Sequence, residues 1–167
     1  PVVVVMGARQ TGKSTLVERL AARDGRPYLS LDDLDVRARA EQDPIGLLSS
    51  APRLVLDEVQ RVPELLLAIK QAVDEDRPRT PGRFLLTGSA NLLLMESVVD
   101  SLAGRAGYVT LWPLTRSELL GRGTTGVWDV LLEHEFAEWE ESLAGGELPP
   151  ADWRETAGVG GYPTPAY

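Results

Sequence analysis

The chain has 167 residues, 43% of them apolar and 25% charged, proportions that exclude disorder throughout and fit one globular core with an appendage. Zero cysteines exclude disulfides, thiolate zinc sites, iron–sulfur clusters and cysteine nucleophiles together, and the single histidine, His134, leaves no histidine cluster for a metal. Seventeen basic residues against 25 acidic ones give a net charge of −8 and a pI near 4.7, so no broad electrostatic footprint for DNA or RNA is expected beyond a local basic patch.

From Pro1 the sequence enters the run Val2 to Met6 at once, a start that reads as a fragment. No unbroken apolar stretch is longer than that run, which Leu65 to Ile69 equals, and both are far short of the ~20 residues a bilayer span needs, so the expected setting is soluble, cytoplasmic and away from membranes. Short apolar or β-branched runs then alternate with helical patterns, the signature of βαβ units feeding a parallel sheet in an α/β protein. Val2 to Val5 has the continuous apolarity of a strand covered on both faces, and Pro27 to Leu31, Leu54 to Leu56, Phe84 to Leu86 and Tyr108 to Leu111 are the further expected strands. Lys13 to Arg23 places Leu16, Val17, Leu20 and Ala21 on one helical face. Glu64 to Val73 does the same with Leu65, Leu66, Ile69 and Val73, just after Pro63, where a missing N–H costs nothing.

Beyond Pro113 the pattern changes. Trp128 to Leu143 puts Trp128, Leu132, Phe136, Trp139 and Leu143 on one stripe of an amphipathic helix, with Glu133 to Glu141 forming a solvated face and His134 ordinary surface. Gly145 to Tyr167 is rich in glycine and proline and reads as loop or linker. The expected division is a core over residues 1–125 and a helical appendage with linker over residues 126–167.

Gly7-Ala8-Arg9-Gln10-Thr11-Gly12-Lys13-Ser14 matches G-x-x-x-x-G-K-[ST] in full, after a strand and before a helix, as that motif requires. Small residues let the loop curl so that backbone N–H groups converge on phosphate oxygens, and the following helix adds its N-terminal partial charge. Gly7 and Gly12 supply backbone freedom, Lys13 neutralises the β and γ phosphates, the Ser14 hydroxyl is placed to ligate Mg²⁺, and Thr15 assists near the α phosphate. Lys13 is one of only two lysines, the other being Lys70, so lysine is not this chain's default cation.

Arg53-Leu54-Val55-Leu56-Asp57-Glu58 is an apolar strand ending in adjacent carboxylates. Asp57 is placed to reach the Mg²⁺ shell through water, and Glu58 to take a proton from the water attacking the γ phosphate. Phe84-Leu85-Leu86 runs into Thr87-Gly88-Ser89-Ala90-Asn91, so Thr87, Ser89 or Asn91 is expected either to sense the γ phosphate or to form a turn or cap. Arg105, after Leu102-Ala103-Gly104, is a candidate arginine finger from its own or a neighbouring subunit, against the alternative of a structural ion pair. Arg9 is open to the same two readings.

Together, Gly7 to Thr15, Leu54 to Gln60, Phe84 to Ser89, Leu102 to Arg105, Trp112-Pro113-Leu114 with Ser117-Glu118, and Gly160-Gly161-Tyr162-Pro163 resemble the AAA-like ATPases of bacteria and archaea that carry an uncharacterised C-terminal domain. The resemblance implies a three-layer α/β/α P-loop sandwich with a mostly parallel five-stranded sheet in the order 5-1-4-3-2. It implies Glu58 as the water-activating residue, Thr87 to Ser89 as the first sensor and Arg105 as the basic residue after the sensor helix. ATP and Mg²⁺ are the implied ligands, and a homo-oligomer or protein partner would act through the C-terminal domain. A preference for adenine over guanine is implied by the resemblance alone; no guanine-reading Asn-Lys-x-Asp occurs in the chain. An ATPase is the leading expectation, with a nucleotide-dependent switch or adaptor of negligible turnover second and a small-molecule kinase third.

Overall fold

A computed structural model describes residues 2–76, 80–89, 102–119, 121, 135–139, 152, 154 and 161. The backbone forms two compact units, Pro1–Trp112 and Pro113–Tyr167.

The first unit strings together β1 (Val2–Gly7), α1 (Lys13–Asp24), β2 (Tyr28–Ser30), α2 (Leu34–Gln42), α3 (Pro44–Leu48), β3 (Leu54–Asp57), a 3-10 turn (Val59–Arg61), α4 (Leu65–Glu75), β4 (Phe84–Ser89) and β5 (Ala106–Thr110). The strands form one five-stranded sheet in the order β2-β3-β4-β1-β5, which is the implied 5-1-4-3-2 read from the other edge. Every pairing is parallel, with Val2 opposite both Phe84 and Ala106, Leu54 opposite Phe84, and Tyr28 opposite Val55. Parallel strands share a direction, so Gly7, Ser30, Asp57 and Ser89, which end β1 to β4, lie along one edge.

Strand side chains alternate between faces, and both faces are covered. Val4, Met6, Leu54, Leu56, Phe84 and Leu86 pack with Leu47, Leu48, Leu65, Leu66 and Ile69 of α3 and α4, while Val5, Val55 and Leu85 pack with Val17 and Ala21 of α1. This is the three-layer sandwich, and it explains why β1, β3 and β4 read as continuous apolar runs.

The helix over Glu64 to Val73 is found as α4, with Leu65, Leu66, Ile69 and Val73 all buried. In α1 the covering stripe is narrower than the apolar pattern suggests: Val17 and Ala21 are buried, whereas Leu16 is 38% exposed. Helix α2 escaped the apolar pattern because it buries only Ala40, and α3, which buries Leu47 and Leu48, because its 5 residues are too short to show a helical period. What starts them is capping. The Asp33 carboxylate accepts from Asp35 N at 2.8 Å and Val36 N at 3.2 Å, and Asp43 accepts from Gly46 N at 2.9 Å just ahead of Pro44 in the first helical position, in keeping with helix-start chemistry.

In the second unit, α5 (Arg116–Leu119) opens with a reciprocal cap: Thr115 N donates to Glu118 Oε2 at 2.6 Å and Glu118 N donates to Thr115 Oγ1 at 3.2 Å. Most of the expected helix Trp128 to Leu143 and of the linker Gly145 to Tyr167 lies outside the described residues, as do Ala90 and Asn91. Within the helix span the described part is a 3-10 turn, Phe136–Glu138, where Phe136 meets Trp139 edge-on at 4.8 Å between ring centroids. Among the described residues no helix is long and apolar enough to cross a membrane.

Candidate functional site

The loop leaves β1 at Gly7, where a Cβ would run into the Leu111 carbonyl oxygen and where φ is +155°, so only glycine fits. Gln10 and Gly12 take left-handed conformations, with φ of 65° and 89°, and curl the chain back to α1. The residue preceding α1 is Gly12, which has no side chain to cap the first amides, and the positive end of the helix therefore stays open to an anion. Ala8, Arg9, Gln10 and Thr15 are exposed.

Beneath the loop, Thr11 Oγ1 and Lys13 Nζ donate to the same Ala8 carbonyl oxygen at 3.0 Å and 2.7 Å. Lys13 is 5% exposed, and its ammonium is met there by a neutral dipole. A buried lysine is rarely left without an anionic partner, so this cation makes the loop electrostatically complementary to phosphate.

Facing the loop, β3 ends at Asp57, which is 3% exposed and receives hydroxyls from three elements. Ser14 Oγ of α1 donates to Asp57 Oδ1 at 3.1 Å, Thr87 Oγ1 of β4 donates to the same oxygen, and Tyr28 Oη of β2 donates to Oδ2 at 2.7 Å. Burial, then the bond to Asp57, pushes the Tyr28 phenol well above its ordinary value of 10.0. The sequence reading missed Tyr28 because it occupies an ordinary strand position. The usable signal was its polar end, which needs a partner when half-buried, on a strand beside the acid-bearing one.

Glu58 sits in the left-handed region, φ 59° and ψ 45°, a conformation that costs a non-glycine residue about 1–2 kcal/mol. Its backbone N donates to Thr87 Oγ1 at 3.0 Å. Thr87, fully buried, thus accepts from the Glu58 backbone amide and donates to the Asp57 carboxylate. Gln60 Nε2 donates to Glu58 Oε2, while Gln60 Oε1 is buried with no hydrogen-bond partner among the described residues. Ser89, half-buried, stands opposite Gly7 in the ladder.

Arg105 is not brought to this edge in its own chain. It precedes β5, and Val2 N donates to its carbonyl at 2.9 Å, which puts it at the opposite end of the sheet, about 17 Å away along a strand of this length. Its guanidinium forms a two-point pair with Asp74 at 2.6 and 2.9 Å, the structural fate weighed against the finger.

The oxygens of Ser14 and Asp57 fit a magnesium ion. A hydroxyl that gives its proton to Asp57 keeps lone pairs for a cation, and Mg²⁺ favours hard oxygen donors, taking one or two carboxylates and completing its shell with water and phosphate. Among the described residues no cluster of three or more His, Cys, Asp or Glu is placed to hold a metal, and this donor set does not need one.

Two uncharacterized proteins, from Mycobacterium bovis and Mycobacterium tuberculosis, are each 38% identical to the chain over 130 residues, covering 77% of the chain and 29% of the relative. The chain therefore spans less than a third of the length of these curated relatives. Among solved structures, Aeropyrum pernix ORC1 in complex with DNA is similar at 18% identity and a TM-score of 0.44, covering 87% of this chain and 53% of that one. Bacteroides Pif1 bound to ssDNA is similar at 13% identity and a TM-score of 0.42, covering 86% and 46%. A family model described as an AAA domain matches residues 1–120, taking in the loop, both acids and all five strands, and the chain belongs to that family.

Proposed function

We propose that this nucleotide-binding P-loop module binds Mg²⁺–ATP in the loop Gly7 to Thr15 and hydrolyses its γ phosphate. The observation that carries the reading is the Ser14–Asp57 hydrogen bond, which joins the loop to the acidic strand end at one point. In this reading the amides of Ala8 to Thr15 and the start of α1 hold the phosphate oxygens. Lys13 turns from the Ala8 carbonyl to the β and γ phosphates, and Ser14 and Asp57 hold the metal side. Magnesium, when bound, supplies charge neutralisation and orientation of the β and γ oxygens.

Glu58 accepts a proton from water as the water oxygen bonds to the γ phosphorus and the bond to the β,γ-bridging oxygen breaks, giving ADP and phosphate. Thr87 sets the position of Glu58, and Ser89 stands beside Gly7 to sense the γ phosphate. Arg105 takes no part within its own chain. Hydrolysis then drives a change passed to a C-terminal domain of the kind the resembled family carries, with homo-oligomers or protein partners engaged through it.

The Gln60 amide on the Glu58 carboxylate favours a second reading, a nucleotide-dependent switch whose base is restrained and whose turnover is negligible. Glu58→Gln separates the two. An ATPase loses turnover by about 10²–10⁴-fold while retaining ATP, as read by phosphate release and calorimetry, whereas a switch changes little. Unchanged ATP affinity in Lys13→Ala would defeat both readings.

A further inference from the structure

We infer that Tyr28 is a positioning residue for the metal side of this site, its phenol clamping Asp57 Oδ2 so that Oδ1 stays turned to Ser14. The inference rests on the nucleotide reading above. An ionised carboxylate only accepts hydrogen bonds, and its terminal torsion is soft and nearly two-fold. Oδ1 takes the protons of Ser14 and Thr87, and among the described residues the partner of Oδ2 is Tyr28 at 2.7 Å. Without that third donor the carboxylate can swap its oxygens, and the one facing Ser14 is no longer defined.

The backbone explains why Tyr28 can do this. Tyr28 is opposite Val55 and Ser30 is opposite Asp57, so Tyr28 is the diagonal neighbour of Asp57 on the same face of adjacent parallel strands. Its ring packs against the cluster that contains Val17 and Ala21 of α1 and Val55 of β3, which fixes where the hydroxyl ends. A phenylalanine would fill the same space, and a half-buried hydroxyl is unfavourable unless it is bonded; the oxygen therefore serves the carboxylate.

The test is Tyr28→Phe in the full chain, with ATP binding measured in EDTA and across a Mg²⁺ titration. The expected result is unchanged affinity in EDTA and a Mg²⁺ half-saturation point raised about tenfold, the scale for a lost partner of a metal-ligating group. In an Asp57→Asn background, Tyr28→Phe has no further effect. An unchanged Mg²⁺ requirement, or equal loss with and without metal, overturns the inference. A second measurement needs neither nucleotide nor a Tyr28 variant: the tyrosine absorbance of the wild-type chain against Asp57→Asn shifts if the phenol serves that carboxylate, and an identical spectrum overturns the inference. Failure of the wild-type chain to bind ATP at all would defeat the nucleotide reading instead, and the spectral comparison would still judge the Tyr28–Asp57 contact.

Discussion

Ser14 Oγ donates to Asp57 Oδ1 at 3.1 Å across 43 positions of sequence. The hydroxyl and the carboxylate therefore act as a unit, and losses from residues in one network do not add. Ser14→Ala and Asp57→Asn should each weaken Mg²⁺-dependent ATP binding by about tenfold or more, and the double variant should be little worse than either. Calorimetry with and without Mg²⁺ checks this; strict additivity would show the two sites to be independent.

The buried Lys13 ammonium rests on a neutral carbonyl and is the one charge of the loop aimed inward. Lys13→Ala should lower ATP affinity by about 1.5–3 kcal/mol, the scale of a hydrogen bond to a charged group, with circular dichroism unchanged. Direct binding of a fluorescent ATP analogue measures it.

Gln60 Nε2 restrains the Glu58 carboxylate. Removing one such bond is worth about 1 kcal/mol, so Gln60→Ala should raise phosphate release by a few-fold in the hydrolytic reading. A rate equal to or below wild type would show that Gln60 supports the base instead of holding it back.

At Gly7 a new Cβ meets the Leu111 carbonyl, a fixed backbone atom, at a positive φ. Gly7→Ala should therefore destabilise the chain by on the order of 3 kcal/mol. Gly25 makes the control: its φ is +64° with nothing within 4 Å, so Gly25→Ala should cost only about 1 kcal/mol. Chemical denaturation of the two variants compares them directly.

The bonds from Thr115 hold the Glu118 carboxyl below its ordinary value of 4.5. A carboxylate whose folded value is depressed contributes stability above the unfolded value and loses it as pH falls through the folded one. The cap of α5 should thus persist at pH 5 and open progressively below pH 4.5. Carboxyl NMR titration of Glu118 reads the midpoint, and Thr115→Ala should move it up towards 4.5.

The strands β1, β3 and β4 were legible because burial on both faces makes Val2 to Met6, Leu54 to Leu56 and Phe84 to Leu86 continuous apolar runs, and the loop was legible because its glycines, lysine and serine stand together in one short motif. Helices α2 and α3 were not, since α2 buries only Ala40, α3 is 5 residues long, and the signals that start them are the caps Asp33 and Asp43. For Arg105 the sequence left two fates open, and the parallel direction of β5 put it beside Asp74 at the far end of the sheet.

By itself the sequence determined which groups could meet a triphosphate: a curled loop with one inward lysine, a hydroxyl beside it, and two acids at a strand's end. Only the tertiary structure decided which of them share an oxygen. The insertion of β4 between β1 and β3 brings the Thr87 hydroxyl to the Asp57 carboxylate and the Glu58 backbone amide, and the pairing of β2 with β3 brings the Tyr28 hydroxyl to the second oxygen of Asp57. Those contacts join residues 29 and 30 positions apart, and no local pattern encodes them, because a strand's neighbours are chosen by how the whole chain buries its apolar faces.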